Sequence, residues 1–259
     1  MDLYTKYYNV SEVCINQPID GKRPIFMTNG FVKEMELYRN RYGYDGSCWE
    51  SNIIDQINSN KYGWFDFSKN LIDIGAGLGE YPLFTNFKHA YAFEPLKLNQ
   101  CLIYANMVSL DKVNDIDVIP YAISDITGTR GFNGWTEDGE QTGKNEMEFR
   151  TLDSFNIDNV GLIKLDIEGF EYNAIRSGIG TILRSNYPPL LIEIWDDNNI
   201  YGWFHEQGKD EFYYEKKRSL LKLLEDLEYV KIEDPGLGDW ETFFYIHKDQ
   251  LNGYENPQQ

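Results

Sequence analysis

Short apolar runs alternate with stretches of helical period along most of the chain. The runs fall at residues 71–74, 90–93, 118–119, 162–167 and 190–194. Each is brief and nearly continuously apolar, as expected of parallel strands covered on both faces. Helical candidates at 81–87, 97–110 and 171–177 lie between them. This alternation predicts an α/β fold with a parallel sheet and right-handed crossovers. Ahead of the first run, residues 50–60 read as a helix, because Ile53, Ile54 and Ile57 share one face. Behind the last, residues 215–227 form an amphipathic helix with Leu220, Leu221, Leu224 and Leu227 along one side. Two closely spaced strands follow at 229–232 and 243–247, suggesting an antiparallel edge on the sheet.

Three stretches break the pattern. Residues 1–50 are rich in tyrosine without a clear period, and read as an N-terminal cap with some helix at 30–41. A polar insert at 127–150 and an aromatic loop at 196–212 are expected to lie outside the sheet. The catalytic domain then spans 51–251, and a frayed tail occupies 252–259.

Composition narrows the function classes. The 259 residues suffice for one α/β domain, and 42% hydrophobic residues suffice for its core. A formal net charge of −18 disfavours phosphate polymers and anionic lipid heads, so no nucleic-acid partner is expected. Only Lys216, Lys217 and Arg218 form a basic run. Three widely spaced cysteines, Cys14, Cys48 and Cys101, offer neither a zinc pattern nor a disulfide framework. No signal-peptide core opens the chain, and no run approaches the roughly 20 apolar residues of a membrane span. The expected location is cytoplasmic.

The most informative motif is Asp73-Ile74-Gly75-Ala76-Gly77-Leu78-Gly79, after a strand and before a helix. Such glycines permit a tight turn and let a ligand approach the backbone. Glu94 ends the next strand, where a carboxylate can accept the ribose hydroxyls of an adenosine. A pyrophosphate would suffer beside Asp73 and Glu80, whereas a cationic amino-acid end would be favoured. This charge balance favours S-adenosylmethionine over NAD. The fourth run ends Lys164-Leu165-Asp166-Ile167-Glu168-Gly169, and Glu193 interrupts the fifth. Lys164 in an apolar strand calls for a partner, with Asp166 or Glu193 in reach. Asp166 is the first candidate for a general base, His205 on the aromatic loop the second. Asp166 and Glu193 would also suit Mg²⁺ or Mn²⁺, though nothing in the spacing demands a metal. Trp195, Tyr201, Trp203 and Phe204 are candidates for an aromatic acceptor platform, and Phe132 and Trp135 for a lid.

Taken in order, these motifs resemble the FkbM family of methyltransferases. The matching segments are 73–81, Ala92-Phe93-Glu94-Pro95, Ala122-Ile123-Ser124-Asp125, Thr151-Leu152-Asp153 and 163–171, with Glu50 upstream. The resemblance implies a Rossmann-like class I methyltransferase fold, a seven-stranded, mostly parallel sheet with an antiparallel last strand and helices on both faces. It places Glu50, Asp73, Gly75, Gly77, Tyr81 and Glu94 at the cofactor and Ser124 and Asp125 near its adenine. Asp166, Glu168 and Glu171 would border the acceptor, with Lys164 and Glu193 in the same catalytic group. The implied reaction is methyl transfer from S-adenosylmethionine to a hydroxyl of a sugar or glycan. The alternatives are a non-sugar small molecule, an RNA acceptor, or a nicotinamide-dependent sugar oxidoreductase or epimerase. The last lacks a third fingerprint glycine at Glu80 and a Tyr-x-x-x-Lys pair.

Overall fold

The computed structural model describes residues 13–15, 26–28, 50–132, 145–195, 210–234, 238 and 241–254. Near the N-terminus, β1 (Val13–Ile15) pairs antiparallel with β2 (Phe26–Thr28). The expected helix at 30–41 lies outside the described residues.

The main sheet has seven strands: β3 (Asn70–Ile74), β4 (His89–Phe93), β5 (Ile116–Ile119), β9 (Val160–Leu165), β10 (Leu190–Glu193), β11 (Tyr229–Lys231) and β12 (Thr242–His247). Their order is β11-β12-β10-β9-β3-β4-β5. Every pairing from β10 through β5 is parallel, and β12 is antiparallel to both its neighbours. The expected antiparallel pair forms one edge of the sheet: β11 is the edge strand, and the last strand, β12, is slotted between it and β10. Covered on both flanks, β12 can be almost wholly buried, as Phe244, Tyr245, Ile246 and His247 are.

Successive strand residues supply opposite faces, as a period of two requires. Leu71, Leu162, Leu191 and Phe244 join one apolar core, with Ile53, Ile54 and Ile57 of α1 (Ser51–Ser59), Leu83 of α2 (Glu80–Phe84) and Leu102 and Ile103 of α3 (Lys97–Ser109). Ile72, Ile163, Leu190, Ile192 and Tyr245 join the other. That core is completed by Ala174 and Ile175 of α4 (Glu171–Ser177), Ile182 of α5 (Ile179–Arg184) and Leu220 and Leu224 of α6 (Asp210–Asp226). Leu221, expected on the buried stripe of α6, is 41% exposed instead. No helix among the described residues is long and apolar enough to cross a membrane.

The polar insert is more regular than its composition suggests. β6 (Ala122–Ile123), β7 (Gly128–Phe132) and β8 (Asn145–Arg150) form a separate sheet of order β6-β8-β7. Met147 and Phe149 are buried while Glu146 and Arg150 are exposed, the alternation of a half-covered strand. Residues 133–144, with Trp135, lie outside the described residues, as do 196–209 of the aromatic loop and 255–259 of the tail.

Candidate active site

The strand ends of β3, β4, β9 and β10 converge on one crevice, the usual ligand position of an open α/β sheet. After β3 the chain turns through Gly75, Gly77 and Gly79 at φ of 81°, 56° and 87°. The amides of Gly75 and Ala76 both donate to the Phe93 carbonyl, and Asp166 N donates to the Ile74 carbonyl at 3.1 Å. These bonds fix the turn between its neighbours. Gly75 and Gly77 nonetheless differ. A Cβ on Gly75 would lie 2.0 Å from the Asp166 carbonyl oxygen, whereas one on Gly77 would meet nothing within 4 Å. Gly75 is small so that β9 can approach, and Gly77 leaves its backbone open on the crevice side.

Glu94 is buried and ties that turn to the following helix. Its carboxylate accepts from Gly77 N at 2.9 Å and from Leu96 N at 2.8 Å. Asn99 on α3 bonds the same carboxylate, and its own Oδ1 is buried without a hydrogen-bond donor. Both oxygens of Asp73 likewise lack a hydrogen bond, although the residue is fully buried. The turn is therefore lined by acceptors.

Register explains the partner of Lys164. Asp73 on β3 pairs directly across from Lys164 on β9, so both side chains leave the sheet on the same face. The Lys164 ammonium lies 3.5 Å from Asp73, 3.3 Å from Asp166 and 3.1 Å from the Gly75 carbonyl, and 5.2 Å from the centre of the Tyr81 ring. Expected partners were Asp166 or Glu193; Asp166 is one, and Asp73 takes the other place. Burial opposes the charge on this ammonium, but Asp166, Asp73 and Glu50 outweigh it and raise its pKa. Burial pushes Asp73 the other way, so it is harder to ionise despite Lys164. Glu50 completes the cluster: it accepts from Tyr81 Oη at 2.7 Å and from Thr242 Oγ1 at 2.9 Å, and caps α1 in a left-handed conformation. Glu50 and Tyr81 thus brace α1, α2 and β12 beside the turn.

At the end of β9, Glu168 and Gly169 both take positive φ. Glu171 holds this bend, accepting from Ile167 N at 3.0 Å and Gly169 N at 3.2 Å. Across it, the pairing of Leu165 with Ile192 sets Asp166 beside Glu193. Glu193 is held well above the ordinary glutamate range, first by burial and then by the charges of Asp166, Glu168 and Glu171; it is hydrogen-bonded to Asp166. Burial beside Asp166 therefore favours the protonated form of Glu193. Among the described residues no three His, Cys, Asp or Glu converge to hold a metal.

The other candidates sit nearby with clear roles or fall outside view. Ser124 is buried, and Asp125 is anchored to α4 by Asn173 Nδ2 at 2.8 Å and Arg176 at 3.3 Å. Trp195 is 3% exposed and stacks on Tyr213, with ring centres 5.2 Å apart. Its carbonyl accepts from Lys217 Nζ at 2.8 Å and from Tyr213 Oη at 3.3 Å. His205, Tyr201, Trp203 and Phe204 lie outside the described residues. Two participants were not singled out from sequence: Asn99 and Thr242. For Asn99 the available signal was a polar residue at an inward helical position; for Thr242 there was none.

Burial pushes Glu80, Glu94 and Glu171 each up to about 7. A carboxyl whose folded value exceeds its unfolded one binds its proton more tightly when folded. Its stabilising effect is complete below the unfolded value of about 4.3 and is lost as pH rises through about 7. The ligand-free protein should therefore melt at least about 5 °C higher near pH 6 than near pH 8. A melting temperature flat or rising over that interval, followed by circular dichroism, would contradict these burials.

A family model described as the methyltransferase FkbM domain matches residues 73–229, more than half of the chain. No curated protein sequence matches. Among solved structures, the methyltransferase FkbM from Methylobacillus flagellatus KT is 20% identical, with a TM-score of 0.48 over 71% of this chain and 44% of that one. The present chain thus spans under half the length of that protein. The S-adenosylhomocysteine-bound methyltransferase PaMTH1 of Podospora anserina is 12% identical, with a TM-score of 0.49 over 86% and 89% of the two chains. A putative S-adenosyl-L-methionine-dependent methyltransferase of Methanococcus maripaludis is 13% identical, with a TM-score of 0.45 over 84% and 91%. From the glycine turn through β11, this chain belongs to the FkbM methyltransferase family.

Proposed function

We propose that the protein transfers a methyl group from S-adenosylmethionine to a hydroxyl oxygen of a sugar or glycan. The observation that carries this reading is the turn after β3: an open glycine backbone flanked by buried acceptors, with the hydrogen-bonded carboxyl groups of Asp166 and Glu193 at the end of the neighbouring strands. The residues fit the cofactor. Gly77 leaves room for a ligand over the backbone, and Glu94 and Asn99 Oδ1 offer acceptors to ribose or amine donors. Asp73, Glu50, Glu80 and Asp166 surround one ammonium, Lys164, leaving a negative field that suits a cationic ligand.

When bound, the cofactor supplies an electrophilic methyl carbon on a sulfonium. The protein's part is to align the acceptor oxygen and take its proton. In this reading Asp166 takes that proton. Its carboxylate is oriented by Lys164 at 3.3 Å, and its backbone is locked to β3. Glu193, hydrogen-bonded to Asp166, helps to orient it. Glu171 holds the bend that presents them both.

Titration calorimetry with S-adenosylmethionine and, separately, NAD tests the cofactor. Binding of NAD alone, or of neither, ends the reading. In a radiolabelled methyl-transfer assay over a panel of sugars, Asp166→Asn should lower turnover about 10²–10⁴-fold while cofactor affinity changes little. A fully active variant would remove Asp166 from the chemistry.

A further inference from the structure

We propose that Glu80, the first residue of α2, is a specificity-determining residue that favours the sulfonium of S-adenosylmethionine over the neutral sulfur of S-adenosylhomocysteine. This rests on the cofactor reading above and deepens it. Glu80 follows Gly79 directly, at the end of the glycine turn, and is 8% exposed. Among the described residues no cation lies within 4 Å of its carboxyl, which accepts a hydrogen bond from its own backbone amide. The ionisable groups acting on it are Lys164 on β9, Asp73 on β3 and Glu50 ahead of α1. β4 and α3 bring apolar residues to the same core, among them Ala92 and Ile103. Lys164 is already shared between Asp73 at 3.5 Å and Asp166 at 3.3 Å, and neither oxygen of Asp73 has a hydrogen bond. Acid thus exceeds base around the turn, and Glu80 is left without a close counter-charge.

A buried carboxyl without a counter-charge resists ionisation, and a positive ligand beside it reverses that. Burial pushes Glu80 up to about 7, so it is divided between its two forms at neutral pH. Glu94 stands at about 7 too, but the amides of Gly77 and Leu96 already meet its charge. The two forms of the cofactor share one amino-acid end and one adenosine, and differ by a single positive charge at sulfur. That charge draws Glu80 towards its ionised form. The S-adenosylmethionine complex therefore holds fewer protons than the S-adenosylhomocysteine complex, and by linkage the preference for S-adenosylmethionine rises with pH. At low pH both ligands meet a neutral carboxyl. At high pH both meet a carboxylate, which attracts only the sulfonium. Spent cofactor is then the weaker ligand, and its exchange for fresh is favoured.

Calorimetric titration of the full chain with each ligand, near pH 5.5 and near pH 8, tests this. The affinity ratio of S-adenosylmethionine to S-adenosylhomocysteine should rise at least about tenfold between the two, because an opposite charge close to a carboxyl lowers its pKa by about 1–3. Glu80→Gln keeps the shape and removes the charge. It should hold the change in ratio under about twofold while S-adenosylhomocysteine binds as before. A purely structural role would weaken both ligands together. A second measurement needs no variant: near pH 7, titrations of wild type in buffers of different ionisation enthalpy should show S-adenosylmethionine releasing more protons than S-adenosylhomocysteine. A ratio that ignores pH, equal proton release, or a pH-dependent ratio that survives Glu80→Gln would overturn the proposal and leave the cofactor reading intact. Binding of neither ligand would remove that reading, and this inference with it.

Discussion

Gly75→Ala is expected to lower the melting temperature by about 10 °C or more and to abolish cofactor binding. The new methyl would sit 2.0 Å from the Asp166 carbonyl oxygen, well inside contact distance, at a residue with φ of +81°. Nothing nearby can give way cheaply. The obstacle is backbone, and Asp166 is pinned to β3 through its amide. Left-handed strain of about 1–2 kcal/mol adds to an overpacking cost of about 1–3 kcal/mol. Any relief would part β3 from β9 and so displace Asp166 and Lys164 together. Gly77→Ala is the control for this argument. It carries the same kind of strain at φ of +56°, but its methyl meets no protein atom within 4 Å. That variant should fold with a loss of about 1–2 kcal/mol and bind the cofactor more weakly, because its methyl enters the open side of the turn. Thermal unfolding and cofactor titration of both variants separate the two roles. A Gly75→Ala protein that melts like wild type would show that the turn has slack the geometry denies.

This division between the two glycines marks the limit of what the chain alone discloses. Both are visible in sequence as members of one turn, because local spacing identifies a strand-turn-helix. Which of them packs against protein depends on where β9 lies, and that is set by pairing across about ninety residues. The same holds for Lys164. A lysine in an apolar run plainly calls for a partner, and Asp166, two residues on, is one. Asp73 is the other only because the β3–β9 register places the two opposite each other. The parallel strands were legible because continuous apolar runs bounded by turns have few other readings. The placement of β12 between β10 and β11 was not, since adjacency in sequence suggests a hairpin without saying on which side it inserts. β7 and β8 were hidden differently. The Met147 and Phe149 alternation is present but short, and glycine, threonine and glutamate around it dominate the composition. Helix α5, six residues long and containing Gly180, has too few turns to show a period.

Lys164→Met is expected to be the most damaging single change in the cluster away from the glycines, despite nearly conserving volume. Among the described residues, Lys164 is the ammonium facing Asp73, Asp166, Glu50 and Glu80, and it is 4% exposed. Without it, Asp73 is a fully buried carboxyl with no hydrogen bond and no counter-charge. Breaking a buried pair from one side typically costs about 3–5 kcal/mol, which at this chain length corresponds to a fall of about 10 °C in melting temperature. Two features distinguish this cause from a simple packing defect. Burial already disfavours the ionised form of Asp73, and loss of Lys164 removes the main opposing influence. The variant should therefore recover stability as pH is lowered and Asp73 takes up a proton, more steeply than wild type over the same range. Second, Asp73→Asn added to Lys164→Met should restore part of the lost stability, because the buried charge is then gone as well. A cavity or rotamer defect would respond to neither change. If chemical denaturation gives the same deficit near pH 5.5 and near pH 8, and the double variant is no more stable than the single, then the ammonium serves packing alone. The negative field assigned to the cofactor site would lose its foundation with it.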